Sequence, residues 1–316
     1  MLKFIARRAF ALIPVLVVVT FVAFALVTLL PGDAALALLS RGDALDPRVL
    51  EQLQRQFGTD RPLLIRYGEW LWSVLHGYLG LSLATQAPVA ELLAQRLPVT
   101  VILAVGAIAV SFALGGILGV VTATGRNGPV DQTARVVGIV LLAIPSFWLG
   151  VLLILLFAIQ LRWLPTSGYV DPFKDVVGSI RFLVLPVMAL AAGRTVEVMR
   201  QLRSSLLEAF AADYVRTARS KGVSEWRVVW RHALRNSLIP VVTLQGLALG
   251  RLIGGAVVIE SVFAIPGLGR LAIDGVYNRD YAVVQGVVLV LTVGVVFANL
   301  LVDALYAVLD PQVRYE

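Results

Sequence analysis

No cysteine occurs in the 316 residues, so disulfides, zinc–thiolate sites and iron–sulfur clusters are excluded. Histidine is nearly as scarce: His76 and His232 are too few for a histidine-rich metal site. Charge is thin, at 15% of residues against roughly 25% in soluble domains. Lys3, Lys174 and Lys221 follow Leu, Phe and Ser. The phosphate-cradling G-x-x-x-x-G-K-[ST] loop is therefore absent, and the chain cannot hydrolyse ATP by a P-loop of its own. There is no H-E-x-x-H run and no nucleophile–base arrangement that spacing alone supports. No catalytic residue and no metal site is assigned. What remains is apolar: 59% hydrophobic residues and a mean hydropathy of +0.86 describe an integral membrane protein. A net charge of +7 would suggest nucleic acid in a soluble protein. Here topology explains it, and no nucleic-acid partner is expected.

Lys3, Arg7 and Arg8 precede an apolar run over residues 9–30. At 1.5 Å per residue it is long enough for a hydrocarbon core about 30 Å thick. It is also longer than the apolar core of a cleaved signal peptide, so it is read as helix 1 with its N-terminus inside. The interval 31–98 is polar, nearly neutral and broken by turn signals, with short helices expected at 50–57 and 62–75. It is read as a periplasmic segment. Further spans are expected at 99–123, 136–159 (interrupted by Pro145), 176–199, 238–259 and 282–308. Gly115 and Gly119 form a small-residue face on the second span; Gly246, Gly250 and Gly254 form one on the fifth. The fourth span holds Arg181 and Pro186, and parity supports it: without that crossing the basic hinge that follows would lie outside. It is expected to run on as helix toward Ser220. Arg251, inside the fifth span, is either a structural ion pair, with Asp303 as partner, or a charge lining a cavity. The outer loop at 261–281 carries Pro266, Gly267 and Gly269, a turn able to re-enter or to act as a gate. The tail, 310–316, ends inside. The sum is an all-α membrane protein with six crossings and both termini cytoplasmic.

The hinge at 194–237 stands out. It holds nine cations (Arg194, Arg200, Arg203, Arg216, Arg219, Lys221, Arg227, Arg231, Arg235) against Glu197, Glu208, Asp213 and Glu225. That excess places it in the cytoplasm. Gly222 breaks one helix and Ser224 is positioned to cap the next. Trp226, Val229, Trp230 and Ala233 recur at i, i+3, i+4, i+7 as one face, with Arg227, Arg231 and Arg235 as a separate stripe. Such a two-faced helix either lies on anionic lipid or docks into another protein.

The hinge reads AADYVRTARSKG (211–222), followed by HALRNSLIPVV (232–242). With IPSFWLG (144–150), ESVFAIPGLGR (260–270), RDYAVVQG (279–286), NLLVDALYAVLDPQVRY (299–315) and the N-terminal RR…LLPGD (7–33), it resembles the permeases of the peptide/nickel class of ABC importers, nearly end to end. FGTDRPLLIRYGEWL (57–71) adds to the match. The resemblance implies the type I ABC importer permease fold, with an extracytoplasmic helical insertion after helix 1 and the transmembrane domain at 96–309. It makes the hinge an E-A-A-x-x-x-G coupling loop, with Arg216, Thr217 and Ala218 in the E-A-A place and Gly222 as the glycine. Leu234 fits the general Leu-Pro that follows, but Arg235 stands where proline would be, as in the peptide class. Trp226, Trp230, His232, Leu234 and Arg235 are thereby implied in ATPase contact. The implied partners are a second homologous permease in a heterodimer, two ATP-binding subunits that carry ATP and Mg, a periplasmic or lipid-anchored substrate-binding protein, and the lipid of a bacterial inner membrane. The chain itself binds no cofactor. The competing reading is an ion-coupled secondary transporter or channel working alone.

Overall fold

The computed structural model describes residues 2–28, 61–247 and 249–309. The expected helix at 50–57, the 310–316 tail and the side chains of Gly250, Arg251 and Asp303 lie outside the described parts. Among the described residues there is no strand, only a bridge between Leu81 and Pro88. The helices are α1 (Leu2–Thr28), α2 (Leu63–Leu75), α3 (Val89–Thr124), α4 (Pro129–Ala143), α5 (Ser146–Leu153), α6 (Val176–Ala211), α7 (Asp213–Ser220), α8 (Leu234–Leu247), α9 (Leu249–Val262), α10 (Leu268–Tyr277) and α11 (Tyr281–Leu309). A π-helix, Ile154–Gln160, continues α5.

Among the described residues, α3, α6 and the first part of α11 are long and apolar enough to cross a membrane. A fourth span results if α4 and α5 with its π-helix count as one. That pair bends by 105°, at the proline expected to interrupt it. Ile144 adopts an extended backbone (φ −85°, ψ 123°), as residues before proline do, and the helix ends there. Pro98 and Pro186 do not end their helices. Each removes one backbone bond, and buried residues on both sides (Leu93 and Val99; Leu185 and Ala189) hold the flanking turns. Helix α3 thus begins at Val89, well before the span expected from 99. The expected continuation of α6 to Ser220 fails at Ala212, whose ψ of 150° starts a new helix, α7.

The chain forms two compact units. In residues 2–100 and 266–297, the Tyr67 hydroxyl of α2 donates to the Val17 carbonyl of α1 (3.0 Å) and shares a hydrogen bond with Thr20 (2.9 Å). Val89 and Leu93 pack with Leu268, Val283 and Val287. Asp280 is buried and caps α11: its carboxylate accepts from the Ser82 hydroxyl (2.5 Å) and from the amides of Ala84 and Val283.

In residues 101–265 with the stretch from 298, α6 is the centre, packed by α4, α5, α8 and α9. Helix α3 reaches it through the small-residue face read from sequence. A Cβ on Gly115 would stand 2.7 Å from the Thr195 carbonyl oxygen, and one on Gly119 would stand 2.9 Å from Leu202. Backbone cannot yield as a flexible side chain can, so Gly115→Val forces α3 and α6 apart, at about 1–3 kcal/mol or more. Thermal unfolding in detergent is expected to show the loss. Gly116→Ala, where a Cβ meets nothing within 4 Å, is expected to leave the midpoint unchanged.

Candidate functional site: a partner-docking elbow

The elbow starts where α7 stops. Val223 N–H donates to the Ala218 carbonyl (3.2 Å) and Gly222 N–H to the Arg219 carbonyl (2.9 Å). These are the paired bonds of a Schellman ending, which needs a left-handed residue at Gly222; its φ is +73°. A Cβ at Gly222 would touch nothing, so glycine is required for backbone angle and not for space. Val223 then packs with Val215, Ala218 and Val228. Arg219 clasps the turn by donating twice to Glu225 (2.8 and 3.1 Å), and this holds the Glu225 carboxyl below its usual range. Ser224 has the extended backbone of a cap, yet its side chain makes no capping bond. Gly222→Val puts a branched side chain in the left-handed region, at about 1–2 kcal/mol. It is expected to raise hydrogen exchange across 217–228 without unfolding the helices. Unchanged protection would contradict the strain argument.

After one turn at Glu225–Arg227 the helix becomes π-helical over Val228–Ala233 and returns to α as α8. This overturns the single face read from sequence. Residues four apart still pair, Val229 with Ala233 and Trp226 with Trp230, but the two pairs fall on opposite sides. Val228, Val229 and Ala233 are buried, while Trp226 and Trp230 stand 69% and 45% exposed with rings 5.0 Å apart. Arg227, Arg231 and Arg235 are exposed, as expected of the basic stripe. Ala233 and Val241 join Ala123, Val198, Leu202 and Leu206 in one core cluster, and Leu234 packs against it half-buried. His232 is half-buried. Arg216 and Thr217 are exposed, Arg216 pairing with Asp213 at 3.3 Å, and Ala218 is buried. The elbow is therefore sunk into the bundle by its apolar side and presents tryptophans and arginines outward.

Two hinge cations have other duties. Arg203 donates from Nε and Nη2 to the two oxygens of Asp131, both at 2.8 Å. Asp131 is wholly buried and also accepts the Asn127 amide (3.0 Å), with Arg135 at 3.6 Å. This clamp joins α4 to α6. In the sequence Asp131 is only an acid in a first helical turn, and its partner lies seventy-two residues away. Arg194 is not a surface hinge cation: it is 8% exposed within α6.

The remaining expected sites are dispersed. Gly246 is buried. Gly254 is exposed, and among the described residues a Cβ there would meet nothing within 4 Å. Pro266 leads into α10, whose first turn is packed: Gly267 and Gly269 are buried and the Leu268 amide donates to the Thr100 hydroxyl (2.9 Å). Among the described residues no group of three or more His, Asp or Glu side chains is placed to hold a metal ion.

Residues 115–315 match the family of binding-protein-dependent transport system inner membrane components, and residues 1–104 match the N-terminal region of such membrane components. The chain belongs to this family. It is a permease subunit of an ABC importer, not the ATPase. A Brucella abortus (strain 2308) protein named as a peptide transport system permease is 42% identical over all 316 residues, the whole of both chains. The glutathione transport system permease protein GsiC of Escherichia coli (strain K12) is 38% identical, again over the whole of both. Among solved structures, a chain from the inward-facing MetNI methionine ABC transporter shares the fold, with TM-score 0.56 and 20% identity over 70% of this chain and 97% of that one. The resemblance read from the motifs holds for the permease over its full length.

Proposed function

We propose that this permease imports di- or oligopeptides, or peptide-like solutes such as glutathione, as half of a two-permease pathway driven through the elbow at 211–240. The observation that carries the coupling role is the elbow's division of faces. Its inner side is part of the same core as α3, α6 and α8, so a push on the outer tryptophans moves helices and not a loose loop. Two ATP-binding subunits would grip the elbows of this permease and its partner from the cytoplasm. ATP binding, with Mg, would draw the elbows together and open the pathway outward to a loaded binding protein; hydrolysis would reverse it. The topology that suits this is six crossings with both termini cytoplasmic, the segment after helix 1 outside, and a gate at Pro266, Gly267 and Gly269.

The peptide class rests on the names borne by full-length relatives. Reconstitution tests it. The permease with its partner subunits and binding protein, in liposomes containing ATP, is expected to accumulate peptide or glutathione. Uptake by this chain alone under an ion gradient would replace this reading with a secondary transporter.

A further inference from the structure

An apolar groove of about 430 Å³ lies where α3, α4 and α6 meet. Its floor is α6: Thr195, Val196 and Met199 line it and are buried. Its rim is exposed, with Leu118 of α3 on one side and Val130 and Val137 of α4 on the other. Gly138 sets how close α4 comes to the floor, since a Cβ there would stand 2.9 Å from Val196. Pro129 also lines the groove, so one end of it reaches the turn at 125–128 that joins α3 to α4.

That turn locates the groove. The long apolar helix α3 stops at it, and Arg126 stands exposed on it. Irregular backbone and charge are both costly in hydrocarbon, so the turn marks a membrane edge. Arg135 and Arg203 engage Asp131; Arg126 is exposed where a headgroup would lie. From the turn the groove follows α4 from Pro129 to Leu141, about 18 Å at 1.5 Å per residue. One leaflet of a hydrocarbon core about 30 Å thick is about 15 Å deep. The groove therefore starts at headgroup level and runs about one leaflet inward.

Its width selects the occupant. About 430 Å³ along about 18 Å leaves a slot about 5 Å across. A methylene chain, whose carbons meet their neighbours at about 4 Å, fits in single file. A helix with its side chains, about 10–12 Å across, does not. We propose that the groove binds one anionic phospholipid of the bilayer, with its phosphate at Arg126 and one acyl chain laid along α4 over Met199 and Val196. The site does not depend on which solute the permease carries. Its lipid spans from α4 to α3 across α6, the helix at the centre of this unit.

The test uses the purified importer complex, delipidated in detergent and offered phosphatidylglycerol or phosphatidylcholine with the same acyl chains. Native mass spectrometry counts the lipid retained. The wild-type complex is expected to hold one phosphatidylglycerol per copy of this chain about fivefold more tightly than phosphatidylcholine, the effect of one basic side chain at a membrane surface. Arg126→Gln is expected to remove that preference. Ala134→Phe, which fills the groove from its α4 wall, is expected to remove the bound lipid of either kind. A preference unchanged by Arg126→Gln overturns the proposal, and that exposed turn position stays readable even if Ala134→Phe fails to fold. Lipid retention unchanged by Ala134→Phe overturns it equally. Because the chain has no cysteine, Val137→Cys puts a single thiol on the rim. A photo-activated cross-linker on that thiol is expected to capture lipid, and capture of another permease subunit instead would overturn the assignment.

Discussion

Trp226→Ala combined with Trp230→Ala is expected to leave the permease folded and inserted but to strip it of its ATPase subunits. Both rings are largely exposed, so the fold loses little: surface substitutions stay within about 0.5 kcal/mol. The interface loses much more. Tryptophan is enriched among interface residues whose truncation costs about 2 kcal/mol or more, which is roughly thirtyfold in affinity. The two rings touch, so their costs will not add. Arg227, Arg231 and Arg235 are exposed on the same elbow, and single alanine variants there are expected to weaken association far less and in a salt-dependent way. Co-purification of the ATP-binding subunits, and ATP hydrolysis stimulated by loaded binding protein, measure the effect. Full retention of both by the double variant would remove the elbow from the coupling path.

Asp131→Ala is expected to be the most destabilising single change in the half of the chain built on α6. It strands the Arg203 guanidinium, only 18% exposed at the side chain, without the carboxylate that both its arms address. Removing one member of a buried pair costs about 3–5 kcal/mol. Arg203→Ala should cost about as much by stranding the carboxylate. Asp131→Leu with Arg203→Met removes both charges and is expected to recover most of the loss, because an apolar pair of similar volume is often neutral or better. Thermal midpoints in detergent decide. A midpoint for Asp131→Ala equal to wild type would mean that the clamp holds nothing.

Much of the fold was legible in the letters because its signals are local. Apolar length marks a span, Pro145 marks a break, and Gly115 with Gly119 marks a close approach; all three depend on a few consecutive turns. Gly222 was legible as a helix end, because a left-handed ending favours glycine wherever it occurs. The errors have separate causes. The face of Trp226, Val229, Trp230 and Ala233 was drawn on an α-helical wheel, but burial of Val228, Val229 and Ala233 accompanies a π-helical stretch. Arg194 and Arg203 were counted only as cations of the hinge, because composition cannot distinguish a charge in water from one facing a buried partner. Helix α6 was extended past Ala212, where no proline or glycine announces the break.

The sequence by itself determined that this is a membrane protein without a nucleotide-binding loop, that its cations gather in one hinge, and that it has the motifs of an import permease. Those are properties of composition and of near neighbours along the chain. Only the tertiary structure decided which hinge residues face out, that Asp131 clamps Arg203, and that Arg194 is buried beside Gln245. Each of these depends on side chains about fifty or more positions apart brought together when helices pack, and the letters between such partners carry no record of the meeting.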